Sequence, residues 1–328
     1  MPVPIVTVFG GSGFVGRYVT QRMARAGWRV RVAVRRPEEA GFVRPYGVVG
    51  QVVPIQANIR DEDSTRRAVQ GADAVINCVG ILNETGRQTF AAVVDDGAAR
   101  VARIAAEEGV GRLVHISAIG ADRESDSLYA RAKAEAERRI GEVFPGAVIL
   151  RPSIVFGEGD GFFNRFASMA RMMPVLPIIG AETRFQPVYV DDVAAAAAKA
   201  AVEGAPAGVY ELGGPEVASF RSLMERMLVV IRRRRLVVAL PWWLARFQAG
   251  VLDRVQRLSG GLLVNSLLTR DQVAMLQSDN VVALGARTFA DLGIVPITME
   301  AVMESYLYPY RPSGQYDEIK ESAERLRT

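Results

Sequence analysis

Ile5-Val6-Thr7-Val8-Phe9-Gly10-Gly11-Ser12-Gly13-Phe14-Val15-Gly16 runs an apolar strand into a glycine-rich turn and out into a helical pattern. Glycine at the first position permits the tight turn, and the middle glycine lets the backbone approach a pyrophosphate. The third lets the helix pack close to the strand, with N–H groups at the helix start left for phosphate. Two registers fit, Gly11-x-Gly13-x-x-Gly16 and the looser Gly10-x-x-Gly13-x-x-Gly16. Both predict that Gly10, Gly13, Phe14, Val15 and Gly16 grip a dinucleotide. A lone match can be a purely structural turn, so the surrounding pattern decides.

That pattern alternates. Arg17 to Ala26 reads as a helix ended by Gly27, and Val30, Val32 and Val34 mark a second strand. A third strand follows at Val52 to Gln56, a helix at Asp63 to Gln70, and a fourth strand at Ala74 to Gly80, apolar enough to be covered on both faces. An alanine-rich helix at about Asp95 to Glu108 leads to the strand Leu113 to Ser117, the helix Leu128 to Glu142 and the strand Ala147 to Leu150. Such alternation predicts an α/β fold, a doubly wound parallel (Rossmann) sheet with right-handed crossovers.

The second half changes character. Pro174, Pro177 and Pro187 cut Phe162 to Val190 into short pieces, and helical patterns return at Val193 to Val202, Phe220 to Arg233 and Trp242 to Arg257. The expected division gives a dinucleotide-binding domain to residues 1–151 with about 186–213. A smaller, mostly helical C-terminal lobe for substrate or partner takes 152–185 with about 214–310. Residues 311–328 alternate charge with little apolar content and read as a tail, either solvated or docking.

Composition narrows the class. In 328 residues, 49% hydrophobic content with 23% charge marks a globular chain, and a net charge of +4 gives no bulk argument for nucleic acid. One cysteine, Cys78, leaves no internal disulfide framework, and one histidine, His115, no His-rich metal site. Both read as packed core residues, in a protein of a reducing compartment. The chain enters a strand at once without a basic leader, which predicts a cytoplasmic protein. The nearest approach to a membrane span, Leu236 to Leu252, holds Pro241 and Arg246 and falls short of the roughly 20 apolar residues required.

Side-chain chemistry then refines the nucleotide. The second strand ends in Arg35-Arg36, where an acid would meet a ribose 2′-hydroxyl, and Arg17 follows the third glycine. Up to three guanidiniums can converge on a 2′-phosphate, which favours NADP(H), NADPH or NADP+, over NAD(H). The alternative is that the pair merely solvates a strand end. Asn58 and Ile59 end the third strand, where an amide can meet the adenine edge; Val79 and Gly80 end the fourth, where small residues let the adenosine lie flat. Tyr129 and Lys133 sit four apart on a helix after the fifth strand, so they share one face. The ammonium is expected to lower the phenol's pKa from about 10 toward neutrality, making Tyr129 a proton donor while Lys133 holds the nicotinamide ribose.

Arg232-Arg233-Arg234-Arg235 abuts an apolar run with Trp242, Trp243, Leu244 and Phe247. Clustered arginines attract anionic headgroups and tryptophans favour the interface, so Arg232 to Phe247 reads as a contact with an anionic membrane surface. Alternatively the tryptophans pack in the smaller lobe and the arginines are solvated.

The glycine motif, Tyr129-x-x-x-Lys133, Arg151-Pro152-Ser153-Ile154-Val155-Phe156-Gly157 and Pro187-Val188-Tyr189-Val190-Asp191-Asp192-Val193 together resemble the extended or atypical short-chain dehydrogenases/reductases. Phe144-Pro145-Gly146-Ala147, Phe162-Phe163-Asn164-Arg165-Phe166-Ala167-Ser168-Met169, Gln186-Pro187-Val188-Tyr189-Val190 and Leu268-Thr269-Arg270-Asp271-Gln272-Val273 narrow the likeness further. They are similar to the accessory NADPH-binding subunit of respiratory complex I and its bacterial relatives, from about residue 5 to about 310. The resemblance implies a tightly held NADPH, contacts from Pro152 and Ser153 to that cofactor, and complex I subunits as partners. It also implies a peripheral place on the inner face of the cytoplasmic membrane, and a role in assembly or stability rather than turnover. The rival expectation is an NADP(H)-dependent reductase, epimerase or dehydratase acting on a carbonyl or sugar. One departure weighs against it: where an active member carries a serine or threonine to hold the substrate oxygen, this chain has Ala118, and Ser117 could substitute only from an irregular strand end.

Overall fold

The computed structural model describes residues 3–243 and 269–312. Seven parallel strands form one sheet, built from β1 (Ile5–Phe9), β2 (Arg29–Val34), β3 (Val52–Gln56), β4 (Ala74–Asn77), β5 (Arg112–Ile116), β6 (Val148–Pro152) and β11 (Gly208–Leu212). Their order is β11-β6-β5-β4-β1-β2-β3. Winding reverses between β1 and β4, which pair in register with Phe9 opposite Asn77, and there the carboxyl ends of the strands open the crevice that such sheets use for ligands. The fourth strand is shorter than its apolar run promised, because Asn77 turns its amide back to accept from the N–H of Val79 at 3.1 Å.

Apolar side chains cover both faces. On one, α1 (Phe14–Arg25) and α6 (Val190–Val202) pack over Val8, Val32, Ile76 and Leu150. On the other, α2 (Glu62–Val69), α3 (Asp96–Glu107) and α4 (Leu128–Val143) enclose Phe9, Val75, Leu113 and Ile149. Arg22 clamps α1 to α6 through a two-point pair with Asp191, at 2.7 and 2.8 Å.

A third core belongs to the C-terminal region. It gathers α5 (Phe163–Met172), α7 (Phe220–Val230) and the helix Met299–Leu307 around Phe156, Phe163, Leu223 and Met303. This region is helical with short strand pairs inserted: β8 (Val175–Ile179) with β13 (Leu236–Leu240), the latter read from sequence only as an apolar run. The buried Asp160 carboxylate fixes its entry loop, accepting from the N–H groups of Gly157, Phe162 and Asn164 and from the Tyr306 hydroxyl at 2.8 Å. The helix expected at Trp242 to Arg257 lies outside the described residues beyond Trp243. The tail does so beyond Pro312, and its first residue, Arg311, is buried, capping the carbonyl of Val230 at 3.0 Å.

The glycine turn carries the tightest packing. Gly10 adopts a left-handed φ of 71° and donates its N–H to the Ala33 carbonyl, while its own carbonyl accepts from Gly13 at 2.9 Å. A Cβ at Gly16 would stand 2.1 Å from that same Gly10 oxygen. Gly16→Ala therefore forces helix and turn apart and is expected to cost about 3 kcal/mol, the upper end of overpacking penalties, measured as a fall in the urea midpoint.

Candidate functional site

The glycine turn leads directly into the amino end of α1. Helix α1 follows its N-cap Gly13 with no side-chain cap and no acid in its first turn, so among the described residues no side chain caps the N–H groups that would meet an anion. A Cβ on Gly10 would touch Val79 Cγ2 at 3.2 Å and the Cys78 backbone at 3.3 Å, so this turn presses against the end of β4, at the switch point. Phe14 and Val15 are half-buried, with Phe14 edge-on to Tyr18 at 6.3 Å. These observations fit a dinucleotide whose pyrophosphate lies on the turn.

The adenosine end differs from expectation. The three arginines do not converge. Arg17 turns toward the mouth of the second region, donating to the Glu158 carbonyl and lying 5.7 and 5.6 Å from the Phe14 and Tyr18 ring centroids. Exposed Arg36 pairs with Glu39 at 2.8 Å, and exposed Arg35 donates to the Gln88 side chain. Arg35 and Arg36 stay at the crevice edge, with donors to spare for a phosphate. Asn58 is half-buried and its Oδ1 accepts from the Arg60 N–H at 3.1 Å, ordering the turn. Ile59 is a core residue whose side chain packs on Gly97. Val79 backs Gly10, and Gly80 is exposed beside open space.

Tyr129 and Lys133 share a face of α4 as predicted, with Nζ 5.8 Å from the ring centroid, but the chemistry is reversed. Tyr129 is buried against Phe90 (centroids 5.6 Å apart) and Val94, with Ala118 and Met275 beside them. Burial, then the nearby Asp271 carboxylate, pushes its phenol up to about 12 rather than toward neutrality. Burial also pushes Lys133 down to about 8; it is 3% exposed, and its Nζ donates to the Ile116 carbonyl at 2.9 Å. An ammonium whose charge is disfavoured by burial and that spends a hydrogen bond on backbone is a weak acidifier of its neighbour.

Ser117 does not replace the missing hydroxyl. It follows β5 on the opposite face from Ala118 and donates to Glu137 on α4. Glu137 in turn holds Arg151 through Nη2 at 2.6 Å, and Arg151 reaches Glu211 at 3.4 Å. This nearly buried group ties α4, β6 and β11 together beneath the crevice. His115 and Cys78 behave as packed residues: His115 Nδ1 lies 3.3 Å from Asn77 Nδ2, and burial holds its pKa well below the usual imidazole value.

Ser153 is committed elsewhere. Its hydroxyl lies 2.7 Å from Asn280 Oδ1 and 2.9 Å from the Asn280 carbonyl, while Asn280 Nδ2 donates to the Ile119 carbonyl at 3.2 Å. Pro152, buried at the end of β6, offers its carbonyl to Ile119. Asn280 belongs to a stretch that the sequence places in the smaller lobe without a role at the site. It begins with the helix Arg270–Met275, whose capping box of Thr269 and Gln272 is a legible start signal.

The arginine segment splits the two readings offered for it. Trp242 packs against Ile179, Val273 and Leu276, whereas Trp243 is 71% exposed; Leu244 and Phe247 lie outside the described residues. Arg233 and Arg235 cap the carbonyls of Tyr310 and Ala170, each at 2.7 Å. Arg232 to Leu236, with Glu225, Leu228 and Val229, line an open cleft of about 730 Å³. Around it Met172, Val175, Val229 and Leu236 are exposed, with Leu236 registered opposite Val175. Among the described residues no helix is long and apolar enough to cross a membrane.

The profile of the NAD dependent epimerase/dehydratase family matches residues 6–213. The chain is 36% identical to the mitochondrial NADH dehydrogenase [ubiquinone] 1 alpha subcomplex subunit 9 of Arabidopsis thaliana, over 94% of this chain and 79% of that protein. It is 30% identical to the mitochondrial NADH-ubiquinone oxidoreductase 40 kDa subunit of Neurospora crassa, over 95% and 80%. The NADPH-dependent quinone oxidoreductase QOR2 of Escherichia coli, solved with NADPH, shares the fold with a TM-score of 0.68 at 19% identity, over 92% of this chain and 98% of that one.

The buried Lys133 makes stability depend on pH in a defined direction. Below about pH 8 folded and unfolded chains both carry the ammonium, and the folded one bears the cost of burying it. Between about 8 and 10.5 the folded chain has shed a proton that the unfolded chain retains, so stability rises with pH through that window. Relative to Lys133→Met, the wild-type urea midpoint is expected to climb from pH 8 to 10.5; a falling difference contradicts the assignment.

Proposed function

From the premise that this chain belongs to the NAD dependent epimerase/dehydratase family, we propose that it is an NADP(H)-binding accessory subunit or assembly factor of respiratory complex I. In this reading it holds its nucleotide without a turnover of its own. The observation that carries this is a division within one site. The phosphate cradle is complete, while Tyr129 is buried, raised to about 12 and faced by Ala118 where a substrate oxygen would need a hydroxyl. The complex I subunits among its relatives supply the partner class.

In this reading Gly10, Gly13 and Gly16 admit the pyrophosphate, the start of α1 neutralises it, and Arg35 and Arg36 select the 2′-phosphate. Lys133 anchors the nicotinamide ribose. When bound, NADP(H) supplies hydride chemistry. The residues around Tyr129 are poorly arranged to deliver the accompanying proton. A reductase reading draws on one observation, the Tyr129 and Lys133 pair on a single helix face.

The protein works in the cytoplasm, peripheral on the inner face of the membrane. The basic cleft and the exposed Trp243, Met172 and Leu236 meet anionic lipid there. Purification from native membranes with a census of co-migrating proteins and bound nucleotide tests the whole reading. Complex I subunits and NADP(H) are expected; a solitary protein that reduces carbonyls and loses that activity in Tyr129→Phe overturns it.

Two further outcomes follow. Arg35→Ala with Arg36→Ala is expected to weaken NADP(H) binding by on the order of 2 to 4 kcal/mol in calorimetry, with NAD(H) little affected. Arg232→Gln with Arg234→Gln leaves the two carbonyl-capping arginines in place. It should weaken binding to anionic phospholipid vesicles by about 2 kcal/mol, roughly thirtyfold at low salt.

A further inference from the structure

Residues 271–283 cross the carboxyl end of the sheet as a strap: Gln272 donates to Asn83, the Thr183 hydroxyl to the Leu276 carbonyl and the Val282 N–H to Gln186, Arg184 pairs with Asp279, and three further ties bear on the crevice. At its start the Asp271 carboxylate accepts from the Ser127 hydroxyl at 2.9 Å and from the Leu128 N–H at 2.6 Å, sitting on the amino end of α4. In its middle Asn280 bridges Ser153 after β6 and Ile119 after β5. At its end the Ala283 N–H donates to Glu211 of β11 at 2.8 Å. Between the first two ties Met275 closes over Tyr129 with Phe90 and Ala118.

The strap is fastened by polar contacts more than by core packing. Val273 is buried, Met275, Leu276 and Asn280 are half-buried, and Gln277, Ser278 and Asp279 are exposed. Its helix has 6 residues. A segment of this kind loses fewer apolar contacts on opening than the sheet beneath it, so it opens locally at lower free energy once its polar ties, the Arg184–Asp279 pair among them, are broken. The atoms it covers are those at the carboxyl ends of β5 and β6 and the Tyr129 face of α4, where a second substrate would have to sit against a nicotinamide.

We propose that this strap is a built-in occupant of the substrate side and a gate on the nucleotide: Met275 and Asn280 fill the place of a second substrate, and NADP(H) enters and leaves only when the strap lifts. The inference rests on the nucleotide reading above. It explains how one chain keeps a cradle and a tyrosine–lysine pair while Met275 and Asn280 stand over the place a carbonyl would take. A gate of this sort lowers association and release together, because both pass through the same opened state.

The test uses the full chain, with Asn280→Ala and Met275→Ala as variants confirmed folded by thermal melting. NADPH association and its release on chase with excess NADP+ are followed by nicotinamide fluorescence. Both rates are expected to rise roughly tenfold in each variant while Kd changes less than about threefold. Unchanged rates, or faster release without faster association, overturn the gate. Should the wild type bind neither NADP(H) nor NAD(H) by calorimetry, the nucleotide reading fails by itself, and amide hydrogen exchange decides the strap as a cover. Protection at Leu128 and Ala283 in the wild type, lost in Asn280→Ala, supports it; no protection overturns it.

Discussion

The contact between Gly16 and the Gly10 carbonyl governs this molecule. With hydrogen as the side chain at position 16, α1 sits close enough to β1 for its uncapped amino end to face the crevice at the β1/β4 switch point. Every other part of the proposed nucleotide site is placed relative to that helix end: Val79 backs the turn, and Arg35 and Arg36 stand at the end of the next strand over. The Arg22 and Asp191 pair then fixes the outer side of the same helix against α6. A single methyl group at the turn would disturb all of these at once, because close-packed interiors transmit displacement rather than absorb it.

Burial sets the character of the tyrosine and lysine pair. In an open, wet pocket an ammonium favours phenolate; here both groups are removed from water, and desolvation moves each toward its neutral form. The Ile116 carbonyl takes up Lys133, and the Asp271 carboxylate adds a repulsive charge beside Tyr129. The same residue types at the same spacing therefore differ in acidity with their surroundings.

The arginine cluster serves two masters. Arg233 and Arg235 close the ends of Tyr308–Tyr310 and α5 by capping their carbonyls, an internal task that keeps their charge at the surface. The charge so retained surrounds a cleft edged by exposed methionine, valine and leucine side chains. Structure and surface chemistry therefore draw on one set of residues.

The parallel sheet, its winding and the glycine turn into α1 were legible in the chain itself, since each rests on local rules: alternating periodicity, glycine steric limits and helix termini. The pairing of Tyr129 with Lys133 was equally legible, because four residues on a helix fix a common face. The surroundings of those residues were not. Ser117 turns to Glu137, Ser153 is taken by Asn280, Ile59 packs on Gly97, and Arg17 meets Glu158. Each of these follows from a partner 20 to 141 residues away. Whether Tyr129 is an acid depended on Phe90 and Met275 removing it from water, and no spacing along the chain encodes a dielectric. Sequence determined which groups this protein carries and the frame that bears them; tertiary structure decided which groups meet, because burial and long-range hydrogen bonding exist only once distant segments have been brought together.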